Sequence, residues 1–544
     1  MTFRRTTVVE LPENFEALTE GLTERQRRLI SGAVNFHALV ERGRSVVLHV
    51  LLRPSNYGLV MTGTNTHRDG AVDKESEIGT LVFEALPGES QVKREVHRVV
   101  AINRESDDLA DAPIVEKPSL YWRLRIAAEH RFPLGYDALR QKLLERRVAA
   151  LDTQRIERVK EDSRWSAVVP VDAAGRQPAV LIGIHWFEMG GAERWAFETI
   201  RLVKEAGLLP IVLSDRFSYH PWITRAEVDG AVVLPLTHPL GDDEEAGGSS
   251  VLLSRLFAAY DVRGVFVHHN QWLYDRLPVV RRLKPGVPVI DAHHILEYSG
   301  GGYPASGVIV DDYIDVHHVI SPQLTDWLTN VQGVDPQKIV LAPLSGLTSA
   351  QSTGKTFAPR HERDTFTVGF IGRFARQKRP YLFLQLAHEL RRSRGGQRFR
   401  FIVHGDGELE DVIERMIRKF RLSAVLEVRG HEVPVARTLD DIDVLVLSSQ
   451  NEGITLTTFE ALANGVPVVS TDVGSQRTLI PEDLLVPRNP AGFTRRATTV
   501  IRSLADDEGI REDAWRREYE RAQEFSQHES ANAWAEGVFH QWSQ

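Results

Sequence analysis

The chain has 544 residues and not one is cysteine. That excludes a disulfide framework, a thiolate metal site and a cysteine nucleophile, and it is compatible with a reducing cytoplasm. Long apolar runs are also missing. Ser45–Leu52 and Ala179–Ile184 are strand-sized, far short of the roughly 20 residues a membrane helix needs. The basic start, Met1–Arg5, lacks the apolar centre of a secretion signal behind it. Nor is there surplus positive charge: 66 Lys and Arg stand against 74 Asp and Glu, a formal net charge of −8. Nucleic acid is therefore not expected as a partner, because neutralising a phosphate backbone takes clustered excess cation. The expected location is cytoplasmic, with peripheral contact at the inner face of a membrane left open.

What is present is an ordinary globular mixture, 42% hydrophobic and 26% charged, on a chain too long for one core, so two or three domains are expected. Residues 1–175 show helical periodicity around Phe15–Val40 and strand-like runs at Val46–Leu52 and Thr80–Leu86. A polar stretch, Glu105–Pro118, precedes the charged segment Tyr136–Arg164. There Leu139, Leu143, Val148 and Leu151 fit one helical face, with Arg140, Arg146, Arg147, Arg155 and Arg158 mostly elsewhere. Packing of that helix on its own domain is the preferred reading, and contact with anionic headgroups the second. The region reads as an α+β accessory domain whose role, whether acceptor recognition, oligomerisation or attachment, its residues do not specify.

From Ala179 short β-branched runs alternate with helical segments, the pattern of βαβ units on a parallel sheet. Strands are predicted at Ala179–Ile184, Leu209–Ser214, Ala231–Leu234, Gly264–His268, Pro288–Asp291 and His317–Ser321. A linker-like stretch, Ser345–Asp364, leads to a second series at Phe366–Ile371, Arg400–His404, Leu426–Arg429, Val444–Ser448 and Pro467–Ser470. The expected fold class is α/β, with Rossmann-like domains at 176–350 and 351–525 facing a cleft and a terminal helix at 526–544. Ligands in such sheets lie beyond the carboxyl ends of strands.

Three strand ends carry chemistry. After the first comes His185-Trp-Phe-Glu-Met-Gly-Gly-Ala-Glu-Arg194, where Gly190 and Gly191 open a helix whose free N–H groups suit a phosphate; a plain tight turn is the bland alternative. After Ile371 comes Gly372-Arg-Phe-Ala-Arg-Gln-Lys-Arg-Pro380, in which Arg373 and Lys378 can clamp a diphosphate or remain solvated loop cations. After Ser448 the chain reads Ser-Gln-Asn-Glu452-Gly-Ile-Thr-Leu-Thr-Thr-Phe-Glu460. A helix opening over Gly453, Ile454, Thr455 and Leu456 offers N–H groups to phosphate or sugar oxygens. Eight residues of ideal helix turn by about 800°, so Glu452 and Glu460 can share one cleft. As an isolated pair they would be a dipole partner and a surface charge.

Together these motifs resemble the family 4 glycosyltransferases over Ala179–Gln544. The marks are Glu452-x7-Glu460 with Ala-Asn-Gly-Val-Pro467 downstream, Gly372-Arg-Phe-x3-Lys378, the Gly-Gly-Ala-Glu helix start, and His404-Gly-Asp-Gly407. The resemblance implies a retaining, nucleotide-sugar-dependent enzyme of the GT-B fold with no metal or other cofactor. Its donor would be a UDP- or GDP-sugar and its acceptor a glycan, glycolipid or glycoprotein, as in polysaccharide biosynthesis. It further implies that Arg373 and Lys378 contact the donor diphosphate, Gly191 approaches it from the other domain, Glu460 binds the ribose, and Glu452 with the backbone of Gly453–Leu456 holds the transferred sugar. Family members often carry a functional histidine after the strand ending at His268, and His269 is the candidate; the doublets His268/His269, His293/His294 and His317/His318 leave the register open, and satisfied structural histidines are the alternative.

Adjacent strand histidines point to opposite sides and make poor joint metal ligands. Ser352–Thr356 imitates a P-loop ending but lacks its first glycine and a strand before it, and Gly405-Asp-Gly407 lacks the third glycine of a dinucleotide fingerprint. Ala531, Trp534, Val538 and Trp542 form an apolar stripe, which by itself reads as ordinary core packing; the resemblance implies a terminal helix that crosses back to the first Rossmann-like domain. A catalytically silent nucleotide-sugar-binding or scaffold homologue, and a phosphorylase on the same fold, are the competing readings.

Overall fold

The computed structural model describes residues 7–53, 59–62, 76–87, 94–104, 120–147, 169–173, 175–188, 190–236, 248–296, 302–344, 356–359 and 365–544. Val148, Leu151, Arg155, Arg158, the stretch Glu105–Pro118 and most of Ser345–Asp364 lie outside the described residues.

Two parallel sheets dominate. The first has the order Ile339–Leu341, Val316–Val319, Val289–His293, Asp261–His268, Pro178–Ile184, Leu209–Ser214, Val232–Pro235. The second runs Leu426–Arg429, Phe399–His404, Phe366–Ile371, Val444–Leu447, Val468–Thr471, Leu485–Val486. Strands buried on both faces read as continuous apolar runs because helices cover each side; Ala179–Ile184 and Val444–Leu447 are buried throughout. Two marginal strands, Ile339–Leu341 and Leu485–Val486, escape sequence reading because two or three residues carry no period. The arrangement is GT-B, with a mixed sheet added at the N-terminus.

In each sheet the strand order reverses once. The reversal falls between Pro178–Ile184 and Asp261–His268 in the first, and between Phe366–Ile371 and Val444–Leu447 in the second. Such switch points leave a crevice because consecutive connections depart to opposite faces. The His185–Arg194 and His269 segments flank one crevice, and the Gly372–Pro380 and Ser448–Glu452 loops flank the other.

Among the described residues up to Arg104, helix Glu24–Val40 and strands Arg44–Arg53, Glu77–Glu84 and Arg94–Asn103 share a core with the first sheet. Strand Arg44–Arg53 pairs parallel with Arg94–Asn103 and antiparallel with Glu77–Glu84, while Leu59–Thr62 closes the other edge. Helix Glu24–Val40, started by a Thr23/Gln26 capping box, lies between this sheet and the first α/β domain. At Gly32 an added Cβ would lie 2.5 Å from the Pro235 ring, so the two backbones approach closely there. Arg25 donates to the Tyr219 carbonyl at 2.8 Å, and Arg28 pairs with Asp229.

Helices Leu120–Arg131 and Pro133–Arg147 behave differently. They pair with each other and rest on the second α/β domain, with Leu134 against its core. The preferred reading, packing on the accessory domain itself, is thus corrected: the pairing side carries Glu129 and Asp137, which are buried, whereas Leu139 and Leu143 are exposed.

Helix Ala531–Ser543 returns to the first domain. Trp542 covers Gly264, Trp534 stacks on His318 at 4.9 Å, and Phe539 meets Phe266. A Cβ on Gly264 would run into the indole of Trp542. Gly264→Ala is therefore expected to cost about 1–3 kcal/mol through overpacking, measured by chemical denaturation; an unchanged midpoint would mean that the terminal helix does not dock there.

Candidate active site

The second switch point is built from two loops joined side by side. The Gln450 amide donates to the Gln377 carbonyl at 2.7 Å, Gln377 Nε2 to the Asn451 carbonyl at 3.0 Å, and Ser448 Oγ to the Lys378 carbonyl at 2.9 Å. Arg379 completes the join from inside. Left-handed at φ 50° and 1% exposed, it donates to the carbonyls of Ser448 at 2.7 Å, Ser449 at 2.9 Å and Arg488 at 2.8 Å. The consequence is a fixed meeting of Lys378 with Glu452, whose Nζ and Oε1 stand 2.6 Å apart. Glu452 is buried, Lys378 half-buried and Arg373 exposed.

Glycines brace these loops. Gly474, at φ 52°, lies so close to the Glu452 carbonyl that a side chain would not fit. Gly405 and Gly407 sit at φ 148° and 138° against the backbone of Gly372 and Phe374. Gly372 N donates to the His404 carbonyl at 3.0 Å and Phe374 N to that of Asp406 at 2.5 Å. The His404–Gly407 segment is thus a backbone support for the Gly372–Phe374 turn.

One expectation is corrected. The helix after Glu452 spans Leu456–Ala463, capped by Thr455, so Gly453, Ile454 and Thr455 precede it as loop. Thr455 stays extended and bonds the Thr458 hydroxyl at 2.6 Å, and Gln476 holds the Gly453 carbonyl at 2.9 Å; these contacts keep the loop out of the helix. Rotation along one helix consequently does not relate Glu452 to Glu460. Glu452 is buried against Lys378, whereas Glu460 is exposed; crowding raises its carboxyl above the usual range while the charge of Arg194 from the first domain opposes that shift.

Across the crevice, Gly190 caps and Gly191 opens helix Gly191–Glu205, on which Trp195, Thr199 and Val203 are buried. Space beside Gly191 is open, whereas a Cβ on Gly190 would strike Glu193. Glu193 accepts from Trp186 Nε1 and contacts His185 Nε2, both at 2.9 Å; burial alone would raise its carboxyl, but His185 holds it low. The domains touch where Gly453 approaches the His294 carbonyl and where Ser321 and Ser475 hydroxyls meet at 2.6 Å. An open cavity of about 820 Å³, bordered by Leu134, Gln385 and Thr494, lies elsewhere and includes none of these groups.

The histidine doublets sort by strand alternation. His268, His294 and His318 occupy one layer with Phe266, Trp195 and Trp534, all fully buried histidines. His269, left-handed at φ 51°, stacks on Tyr303 at 4.7 Å beside His185 and His294, and its Nε2 has no hydrogen-bond partner. Burial drives its imidazole down to about 3. His293 and His317 point the other way, to Asp291. Nδ1 of His317 lies 2.8 Å from Asp291 and its Nε2 3.0 Å from Asp311.

Opposition of adjacent histidines therefore removes pairs within a strand but brings residues of neighbouring strands together. Asp291, His293 and His317 have ligand-capable atoms within 4.8 Å of one another. Their contacts already form a hydrogen-bonded ion network, completed by Tyr274 at 3.2 Å. Burial would lower His317, yet Asp291 and then Asp311 outweigh it and raise it to about 9.

Residues 365–503 match the family model described as Glycosyl transferases group 1. The second α/β domain is a group 1 glycosyltransferase domain. The chain is 30% identical over 240 residues to a D-inositol 3-phosphate glycosyltransferase of Kineococcus radiotolerans, covering 38% of this chain and 52% of that one. It is 29% identical over 116 residues to a poly(ribitol-phosphate) alpha-N-acetylglucosaminyltransferase of Staphylococcus aureus, covering 21% and 23%. It thus spans about half or less of these relatives. Among solved structures it resembles Anabaena HepE in complex with UDP and glucose, at 15% identity and a TM-score of 0.47 over 66% of this chain and 97% of that one. Sucrose-phosphate synthase of Thermosynechococcus elongatus also has a TM-score of 0.47, at 18% identity over 67% and 98%. No helix among the described residues is long and apolar enough to cross a membrane.

The roles of Arg379, Gln377 and Gly474 beside the group 1 motifs have no spacing signature, since each acts through backbone contacts from a distant segment. Two outcomes are expected of the histidines. Unfolded imidazoles take up protons below pH 6.5 that buried His268, His269, His294 and His318 refuse, so stability falls as pH drops below 6.5. His317 contributes stability below pH 6.5 that disappears as pH rises through about 9. Melting temperature followed against pH should peak between these limbs, and His317→Gln should flatten the alkaline one. Chelator dialysis should leave the melting temperature unchanged; a fall reversed by zinc would turn the ion network into a metal site.

Proposed function

We propose that the chain is a retaining, metal-independent family 4 glycosyltransferase that moves a sugar from a UDP- or GDP-sugar to a hydroxyl of a glycan, glycolipid or glycoprotein. The observation that carries the reading is the 2.6 Å contact of Lys378 with Glu452 at the second switch point, with Arg373 exposed beside it and the Gly191 helix start on the opposite domain.

Glycosyl transfer builds negative charge on the departing diphosphate while the sugar becomes oxocarbenium-like. Cations and helix N-termini aimed at that charge lower the barrier most, since they are already oriented when it develops. Arg373 and Lys378 are assigned to the diphosphate from the second domain, and the Gly190–Gly191 turn to it from the first. Lys378 shares its charge with Glu452, so an arriving phosphate and a sugar hydroxyl can take over the two ends of one ion pair.

Glu452 and the Gly453–Leu456 segment then hold the transferred sugar, and Glu460 the ribose. His269 borders the acceptor side; its imidazole, held neutral by burial, can exchange hydrogen bonds with a sugar hydroxyl. Attack on the same face as departure, with a donor phosphate oxygen taking the acceptor proton, accounts for retention without a protein nucleophile. The two named relatives are glycosyltransferases, one by its name acting with D-inositol 3-phosphate and one with poly(ribitol phosphate), in line with a polyol hydroxyl as acceptor.

The decisive experiment is a panel of UDP- and GDP-sugars, with release of nucleoside diphosphate measured with and without candidate acceptors. Absence of both binding and turnover across the panel sinks the enzyme reading. Lys378→Ala should weaken nucleoside diphosphate binding by about tenfold or more, since charged hydrogen bonds contribute about 1.5–3 kcal/mol; equal affinity in calorimetric titration would remove Lys378 from the clamp.

A further inference from the structure

The helix pair Leu120–Arg131 and Pro133–Arg147 lies outside the group 1 segment, yet its polar contacts converge on the two loops of the second switch point. Glu129, buried, takes both nitrogen ends of Arg376 in a bidentate pair. Asp137, also buried, accepts from Arg379 Nη1 at 3.3 Å. Arg140 donates to the Gln450 side chain at 2.8 Å. Arg376 and Arg379 bracket Lys378 in the chain, and Gln450 stands two residues before Glu452. We propose that this hairpin is a positioning element for the donor site: Glu129 and Asp137 hold Arg376 and Arg379 so that Lys378 and Glu452 stay in the geometry that receives the diphosphate and its sugar. The inference rests on the donor reading given above.

The electrostatics give the contact its force. A guanidinium keeps its proton when buried, so Arg379 cannot relieve its desolvation by neutralising. Three carbonyls satisfy its N–H groups but supply no negative charge. Asp137 does, and it is the carboxylate that forms an ion pair with Arg379 among the described residues. Removing the partner of a buried charge destabilises far more strongly than removing both members. Without Asp137 the loop must shift to hydrate Arg379, and Lys378, its immediate neighbour, shifts with it. A displacement of about 1 Å in a binding group is enough to cost up to about 100-fold in productive geometry. Arg376 is coupled in the same way through Glu129, whereas His130, farther from these loops, contacts Asp411 at 3.3 Å and accepts through its carbonyl from Arg415 at 3.0 Å.

Coupling of this kind is reciprocal: whatever the hairpin contributes to nucleotide affinity, nucleotide must return as hairpin stability. The test uses the full chain with UDP and GDP as probes, taking whichever binds the unaltered protein. Asp137→Asn and Glu129→Gln should each raise the dissociation constant by about tenfold, Asp137→Glu should recover most of the affinity, and Asp411→Asn, at the His130 contact, should leave it unchanged. In the unaltered protein, hydrogen exchange of amides in Leu120–Arg147 should slow on nucleotide binding although none of them belongs to the proposed donor contacts. Unchanged affinity in both variants, or unchanged hairpin exchange at saturating nucleotide, overturns the inference while leaving the donor reading intact. Failure of the unaltered protein to bind either nucleotide overturns both. The exchange measurement needs no variant, so it decides the matter even if the substitutions prevent folding.

Discussion

Arg379 is a cation with no route to water, placed where three chain segments end. Its fork takes the carbonyls of Ser448, Ser449 and Arg488, the second of which also accepts from the Thr471 hydroxyl at 2.7 Å. A buried charge tolerates little freedom, because every displacement breaks a charged hydrogen bond in a medium that offers no replacement. The rigidity passes to the residues on either side. Lys378 precedes it, Pro380 begins the next helix, and the Ser448–Ser449 carbonyls lead directly to the Glu452 turn. The relation between Lys378 and Glu452 follows from this one side chain and the two zipped loops around it.

The first domain solves a different problem. Its sheet carries histidines at strand ends where the chain emerges toward the crevice, and strand alternation divides them into an uncharged layer and an ionic one. Aromatic packing with Trp195, Phe266 and Trp534 keeps the first layer neutral. The second is stabilised as charge by Asp291 and Asp311 around His317. The terminal helix adds Trp534 and Trp542 to the same core, so the two domains share a chain that closes back on its start rather than a simple tandem.

Much of the architecture was legible because parallel strands buried on both faces produce apolar runs that local reading detects. Strand ends were legible for the same reason, and the Gly372–Pro380 and Asn451–Pro467 segments sit where that reading directed attention. The helix boundary at Leu456 was not, since Gly453–Thr455 is held out of the helix by Thr458 and by Gln476, 21 residues beyond Thr455. Leu139 and Leu143 were misleading for a related reason: an apolar face indicates burial only when nothing else competes, and here buried carboxylates on the other side paired with arginines more than 200 residues away.

The sequence by itself determined the alternation of strands and helices, the two parallel sheets, the order of the group 1 motifs and the absence of thiol chemistry. These depend on periodicity and residue type, which are local. Only the tertiary structure decided that Arg379 ties the strand-end loops together, that histidines from neighbouring strands meet around Asp291, and that residues 120–147 belong against the second domain. Each of those outcomes is a contact between groups far apart in the chain, chosen because a buried charge or polar atom must find its complement wherever the fold brings one.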